Sequence, residues 1–186
     1  CLGMYELGKK KLLRKCENKL FPTNIVKILA RGERIFVGDM AESMHFVKFK
    51  KQESVMIIFA DDSQPKYVTS ACILDYSTIG TVDKFGNVSV LRLPASINDS
   101  NYENPSGARV LWDQGTLNGA PNKLETLATY HLGETCTAVS MCSLVQGGRE
   151  AMIVSTTMGG IYAFMPFISR EDTEFFTHLE MFMRQE

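Results

Sequence analysis

The sequence predicts an all-β chain: a partial β-propeller of about three and a half four-stranded antiparallel blades, followed by a C-terminal helix. Three observations lead there. A strand-turn-strand pattern recurs along the chain, each copy has an apolar strand upstream and another downstream, and no amphipathic helical period separates the strands.

The recurrence is explicit in the residues. The stretch from Val37 through Asp39 and Met44 to Phe46 superimposes on Val82, Asp83, Val88 and Val90 with a shift of 44 residues. Ser155 through Gly159 and Ile161 to Phe164 repeats the second copy at a shift of 73, a surplus of 29. Residues 94–123, rich in Asn, Ser, Gly and Pro, are read as the loop insertion that supplies the surplus. Ile25 to Ala30, Val68 to Leu74 and Cys136 to Met141 precede the three turns, while Val55 to Ala60 and Leu124 to Tyr130 follow them. Ahead of these, Gly3 to Leu7 and Leu12 to Cys16 form a hairpin around Gly8-Lys9, so the chain opens midway through a blade. The start at Cys1 accordingly reads as a cut edge.

Residues 1–168 are therefore assigned to blades and 169–186 to the helix. Ser169 with Asp172 resembles a capping box, and Phe175, Leu179 and Phe182 fall on one stripe beside Phe176 and Met183. Such a stripe is expected to pack beneath the propeller. Blades bury their faces against one another, so an incomplete ring would expose apolar faces and strand edges. The chain is expected to need the remaining blades, with the missing outer strand of its last blade supplied by another part of the same polypeptide.

Composition excludes several functions. The 186 residues are 45% hydrophobic and 22% charged, as in an ordinary globular domain. The longest apolar runs, Val55 to Ala60 and Ile161 to Phe167, fall far short of the roughly 20 residues of a membrane helix, so no membrane role is expected. A net charge of -1 argues against affinity built on phosphate neutralisation, so RNA contact is expected to be indirect. Five cysteines with no metal or disulfide spacing read as free thiols in a reducing compartment.

No reactive constellation emerges, and the chain is read as neither an enzyme nor a holder of a cofactor or metal. Asp61 and Asp62 are adjacent, so on a strand they point to opposite faces, and they read as a turn. His45, His131 and His178 are too dispersed for a local metal motif. Candidate partner contacts are Trp112 and Tyr102 in the insertion, and Lys9, Lys10 and Lys11 in a basic run that continues to Lys19. That run reads first as a solvated edge that discourages strand addition.

Longer stretches carry a resemblance. Tyr5 to Asn18, Ile57 to Asp62, Asp83 to Asn87 with Arg92 to Pro94, Leu111 to Gly119, Tyr130 to Glu134 and Glu171 to Phe176 resemble the family of splicing factor 3b subunit 3. Damaged-DNA-binding protein 1 and the large subunit of the cleavage and polyadenylation specificity factor are more distant members of the same group. The sequence departs from the family pattern around Phe21 to Met44 and at Lys66-Tyr67, and Tyr67 joins the contact candidates. The resemblance implies a nuclear, non-catalytic scaffold of the U2 small nuclear ribonucleoprotein, supporting pre-mRNA branch-site recognition through protein contacts. Its implied partners are the remaining propellers of its own polypeptide and the helical-repeat large subunit and small subunit of the splicing factor 3b complex. Two alternatives stand beside it: a ubiquitin-ligase adaptor, and direct RNA binding through hairpin 9–19.

Overall fold

The computed structural model describes residues 1–97 and 120–185. The strands are β1 (Leu2–Leu7), β2 (Leu12–Asn18), β3 (Ile25–Arg31), β4 (Arg34–Asp39), β5 (Met44–Lys50), β6 (Val55–Asp61), β7 (Val68–Ile73) and β8 (Thr78–Asp83). They continue as β9 (Asn87–Arg92), β10 (Asn122–Lys123), β11 (Glu125–His131), β12 (Cys136–Ser143), β13 (Glu150–Thr156) and β14 (Ile161–Phe164), and helix α1 (Arg170–Arg184) follows. Sheet order is β1-β2, then β10-β6-β5-β4-β3, then β11-β9-β8-β7, then β12-β13-β14. Apart from the β10–β6 pair, every pairing among the described residues is antiparallel, and the sheets run as meanders of sequential strands except where β10 adds to β6 and β11 pairs with β9. This is the partial propeller that the recurrence predicts: a two-stranded half blade, two full blades and a three-stranded blade.

The repeat is written into the hydrogen bonds as well as the residues. The first strand of each of the last three sheets carries a register shift near its start, at Ile25/Lys27, Val68/Ser70 and Cys136/Ala138. Such a bulge increases local twist, which a blade needs to splay outward from an axis. Residues 40, 84 and 157, related by the same shifts of 44 and 73, each donate a backbone N–H at 3.0 Å to the loop entering their blade. The acceptors are the carbonyls of Asn24, Tyr67 and Thr135. The inter-strand turns are capped by equivalent side chains: Asp39 accepts from Ala41 N and Glu42 N, Asp83 from Phe85 N and Asn87 N, and Thr156 Oγ1 from Gly160 N. Short polar side chains satisfy turn amides locally, which is why this signal was visible in the residues alone.

Alternation along the strands sends side chains to two faces, and each face meets the next sheet. Ile35, Val37, Val47, Met56 and Ile58 pack with Leu2 and Phe21 against the β1–β2 hairpin. The opposite face presents Phe36, Met44, Phe46 and Phe59 to Val68, Ala71, Ile79 and Leu91 of the following sheet. Cys72, Val82 and Val88 then meet Cys136, Val139, Met152 and Val154. Gly80 marks the closeness of that last approach, since a Cβ there would lie 2.4 Å from Met152 Sδ. Strand β7 packs beside both β3 and β12, and Thr69 Oγ1 donates to the Cys136 carbonyl at 2.7 Å, so the first strands line up side by side. Arg34, buried, adds a polar link: its guanidinium bonds the Tyr76 carbonyl and lies 4.0 Å from the Tyr76 ring centroid.

Two expectations need correction. The end of the 94–123 segment is not only loop, because β10 adds to the outer edge of β6 in parallel, with Asn122 opposite Ala60 and Lys123 opposite Asp61. The helix stripe does not pack beneath these blades: no residue of α1 is buried, and Phe182 remains 71% exposed. Of the expected capping box the Ser169 half is present, with Ser169 Oγ accepting from Glu171 N and Asp172 N. Phe167 stacks on Phe176 at 4.9 Å and tethers the helix start.

Candidate partner-contact surface

The loops entering each blade and the turns joining its middle strands share one end of the sheets, as their mutual backbone bonds require. Between the second and third sheets this end opens into a groove of about 560 Å³, lined by Met40, Pro65, Lys66, Tyr67, Phe85 and Asn87 among others. Tyr67, a candidate from the sequence, lies here with Lys84 Nζ 5.1 Å from its ring centroid. Phe85 forms the groove's other wall and is 67% exposed, a residue that sequence reasoning did not single out. A large apolar side chain within the tight Asp83–Asn87 turn was the available signal.

The turn is built to hold Phe85 outward. Asp83 accepts two backbone amides and the Asn87 side-chain amide, and Gly86 adopts φ +86°. Only glycine fits there, because a Cβ would meet the Glu134 carbonyl oxygen at 2.6 Å. Leu132 N donates to the Gly86 carbonyl at 2.7 Å, which ties the turn to the loop entering the next blade. At the equivalent turn of that blade Met158 is likewise strongly exposed.

A second groove of about 750 Å³ opens between the third and fourth sheets. Leu127 and Tyr130 of β11 face Phe164 and Phe167 across it, and Tyr130 meets Phe164 edge-on at 5.7 Å. It lies beside the free edge of β14, where the fourth sheet has three strands.

The remaining candidates are dispersed. Lys9, Lys10 and Lys11 are exposed on the β1–β2 turn, at the hairpin end remote from the loop that meets Met40. Tyr102 and Trp112 lie outside the described residues. Asp61 and Asp62, read from the sequence as a turn, are fully buried, with Asp61 closing β6 and Asp62 following it. Asp61 accepts from Lys123 Nζ at 2.5 Å and from Ala120 N at 3.1 Å, while Asp62 bonds Ser43 Oγ at 2.6 Å and pairs with Lys66. Burial pushes the Asp61 carboxyl above its ordinary range despite Lys123. Of the histidines, His131 is exposed and bonds Asn87 Oδ1, and His178 is exposed on the helix. All five cysteines are free, and burial pushes the Cys72 thiol up to about 11. Among the described residues, no group of three or more His, Cys, Asp or Glu side chains could hold a metal.

His45 is wholly buried, edge-on to Phe21 at 5.6 Å, and burial lowers it to about 4. Its folded value lies below its unfolded value near 6.5, so the folded state resists the proton that the unfolded state accepts. The contribution to stability is present above pH 6.5 and is lost as pH falls towards 4. Moving from pH 7 to 5 should cost on the order of 2 kcal/mol through this residue. Asp61, raised, acts in the opposite sense, so the readout is the difference between native protein and His45→Gln. Exchange protection of β5, corrected for intrinsic exchange, should fall more steeply with acid in the native protein; parallel profiles would remove His45 from the account.

Sequential antiparallel sheets packed face to face, with turn chemistry repeated from blade to blade, define a β-propeller repeat protein. The chain belongs to the CPSF A subunit region family, whose model matches residues 1–186. It is 49% identical to splicing factor 3B subunit 3 of Drosophila melanogaster and 46% identical to spliceosome-associated protein 130 A of Arabidopsis thaliana. It is 44% identical to the pre-mRNA-splicing factor RSE1 of Mycosarcoma maydis. Each match covers all of this chain and 15% of the relative. The resemblance read from the sequence is thereby borne out.

Proposed function

We propose that this chain is one arc of a propeller in a non-catalytic scaffold subunit of a splicing complex, acting in the nucleus. The carrying observation is identity of 44–49% across the whole chain to proteins named as splicing factors in several organisms. The apolar faces left open at both ends support the ring: Leu7 and Leu12 at the first sheet, Leu127 and Ile161 near the last, are all exposed. Further blades of the longer polypeptide cover them, and a strand from elsewhere in it completes the fourth sheet beside β14. Branch-site recognition is supported through protein contacts to the helical-repeat large subunit and the small subunit of the splicing factor 3b complex.

The groove between Tyr67 and Phe85 is the contact surface we assign to this arc, because a rigid aromatic held in solvent is a low-entropy anchor. The test is affinity purification of the intact polypeptide from nuclear extract, with and without the paired change Tyr67→Ala and Phe85→Ala. The native protein should retain the helical-repeat subunit, and the variant should retain it at least about fivefold less firmly. Recovery of a cullin in place of splicing proteins, or no helical-repeat subunit at all, would contradict the reading.

A further inference from the structure

Charge is unevenly distributed along this chain. Residues 1–19 hold six Lys or Arg against two Glu, while the chain as a whole is at -1, so the hairpin is a basic projection from an acidic body. Beyond the tip, the cations have carboxylate partners: Arg14 and Lys19 share Glu17, and Lys15 pairs with Glu6 at 2.5 Å. The tip differs. Among the described residues, Lys9, Lys10 and Lys11 have no carboxylate within ion-pair distance, and all three are exposed. Gly8 N donates to the Lys11 carbonyl at 3.0 Å, which closes the turn and holds three consecutive ammonium groups at its apex.

We propose that this tip contacts the phosphate backbone of single-stranded RNA. The proposal rests on the splicing reading above for the source of the polyanion, and on physical grounds for preferring a nucleic acid to an acidic peptide. Exposed lysine–carboxylate pairs contribute little individually, so a peptide needs a pocket for an apolar anchor, and neither of the two grooves reaches the tip. A polyphosphate needs no pocket, because neutralising its charges releases condensed counterions. Lysine also suits the task. Each ammonium is a point charge on a flexible stem, able to follow a backbone without reading bases, whereas base readout would call for forked or aromatic groups. The tip thus adds sequence-independent affinity, holding RNA that other components select. Direct contact here departs from the expectation set by net charge alone, because that sum conceals the segregation.

The experiment uses the intact polypeptide and a 20-nucleotide uridine oligonucleotide, with binding followed by fluorescence anisotropy between 50 and 200 mM salt. With about 0.7 counterions released per single-strand contact, replacing the three lysines (Lys9→Gln, Lys10→Gln, Lys11→Gln) should flatten the slope of log affinity against log salt by about 2. Affinity at 50 mM should fall at least tenfold, roughly what three lost contacts imply. The triple arginine variant should retain the native slope. Three results would overturn the proposal: no RNA binding by the native protein, an unchanged slope in the glutamine variant, or lysine-dependent binding of a polyglutamate peptide without any such effect on RNA. The glutamine variant should still copurify with the helical-repeat subunit. Loss of that capture would identify the tip as a protein contact and also overturn the proposal, whereas failure of the native protein to capture the subunit would count against the scaffold reading instead.

Discussion

Replacing Phe46 with alanine is expected to weaken the second blade by about 3–5 kcal/mol, the full cost of emptying an aromatic site in a rigid core. Phe46 is fully buried on β5, edge-on to Phe36 at 4.7 Å and to Phe59 at 6.4 Å, and packs against the Val68, Ile79 and Leu91 side of the next sheet. Truncation removes transfer free energy and leaves a cavity between two rigid sheets that cannot collapse into it. Amide exchange of β4 to β6 in the intact polypeptide should accelerate by about two to four orders of magnitude. The third sheet should loosen as well, because it shares the cavity wall. A rate change confined to β5 would show that the sheets are stabilised separately and not by their contact.

Asp61→Ala is expected to release the return of the inserted segment. The buried carboxylate accepts from Ala120 N and Lys123 Nζ, and the Asp61 backbone carbonyl accepts from Leu124 N at 2.8 Å, so one residue secures the chain as it enters β11. Removing the acceptor leaves a buried amide without its partner, a loss of about 1–3 kcal/mol. The lost ion pair adds little, since Lys123 is 41% exposed and can turn to water. Asp61→Asn should therefore cost less than Asp61→Ala: it keeps an acceptor, and burial already disfavours the charged form. The measurement is exchange at residue 120 and residues 122–124, which should rise in the order native, Asn, Ala. Equal effects of the two variants would mean that charge and not hydrogen bonding secures the segment.

Local chemistry was legible in the residues and distant pairing was not. The turns at Asp39, Asp83 and Thr156 were visible because each cap and its amides lie within four residues. The bulges at the start of β3, β7 and β12 follow the same shifts, but no residue pattern announced them. Asp61 read as a turn because the lysine that pairs with it is 62 residues away. Arg34, beside a hairpin turn, gave no hint of burial because Tyr76 lies 42 residues further on. His45 is similar: only the packing of Phe21 and the adjacent strands turns it into a core residue. Phe85 was missed for the opposite reason, since an aromatic within a β-rich pattern defaults to core, and its exposure follows from a glycine wedged against Glu134. For α1, the apolar stripe specified a face to be covered without specifying by what.

The dependence of each sheet on its neighbours is tested most directly by comparing exchange protection of β11 to β14 in this chain alone and in the intact polypeptide. With further blades present, the amides of β11, β12 and the open edge of β14 should gain strong protection, while β5 and β8, already enclosed on both faces, should change far less. Equal protection of β14 in both settings would mean that its edge and face need no partner, and a ring of mutually covering blades would no longer describe this protein.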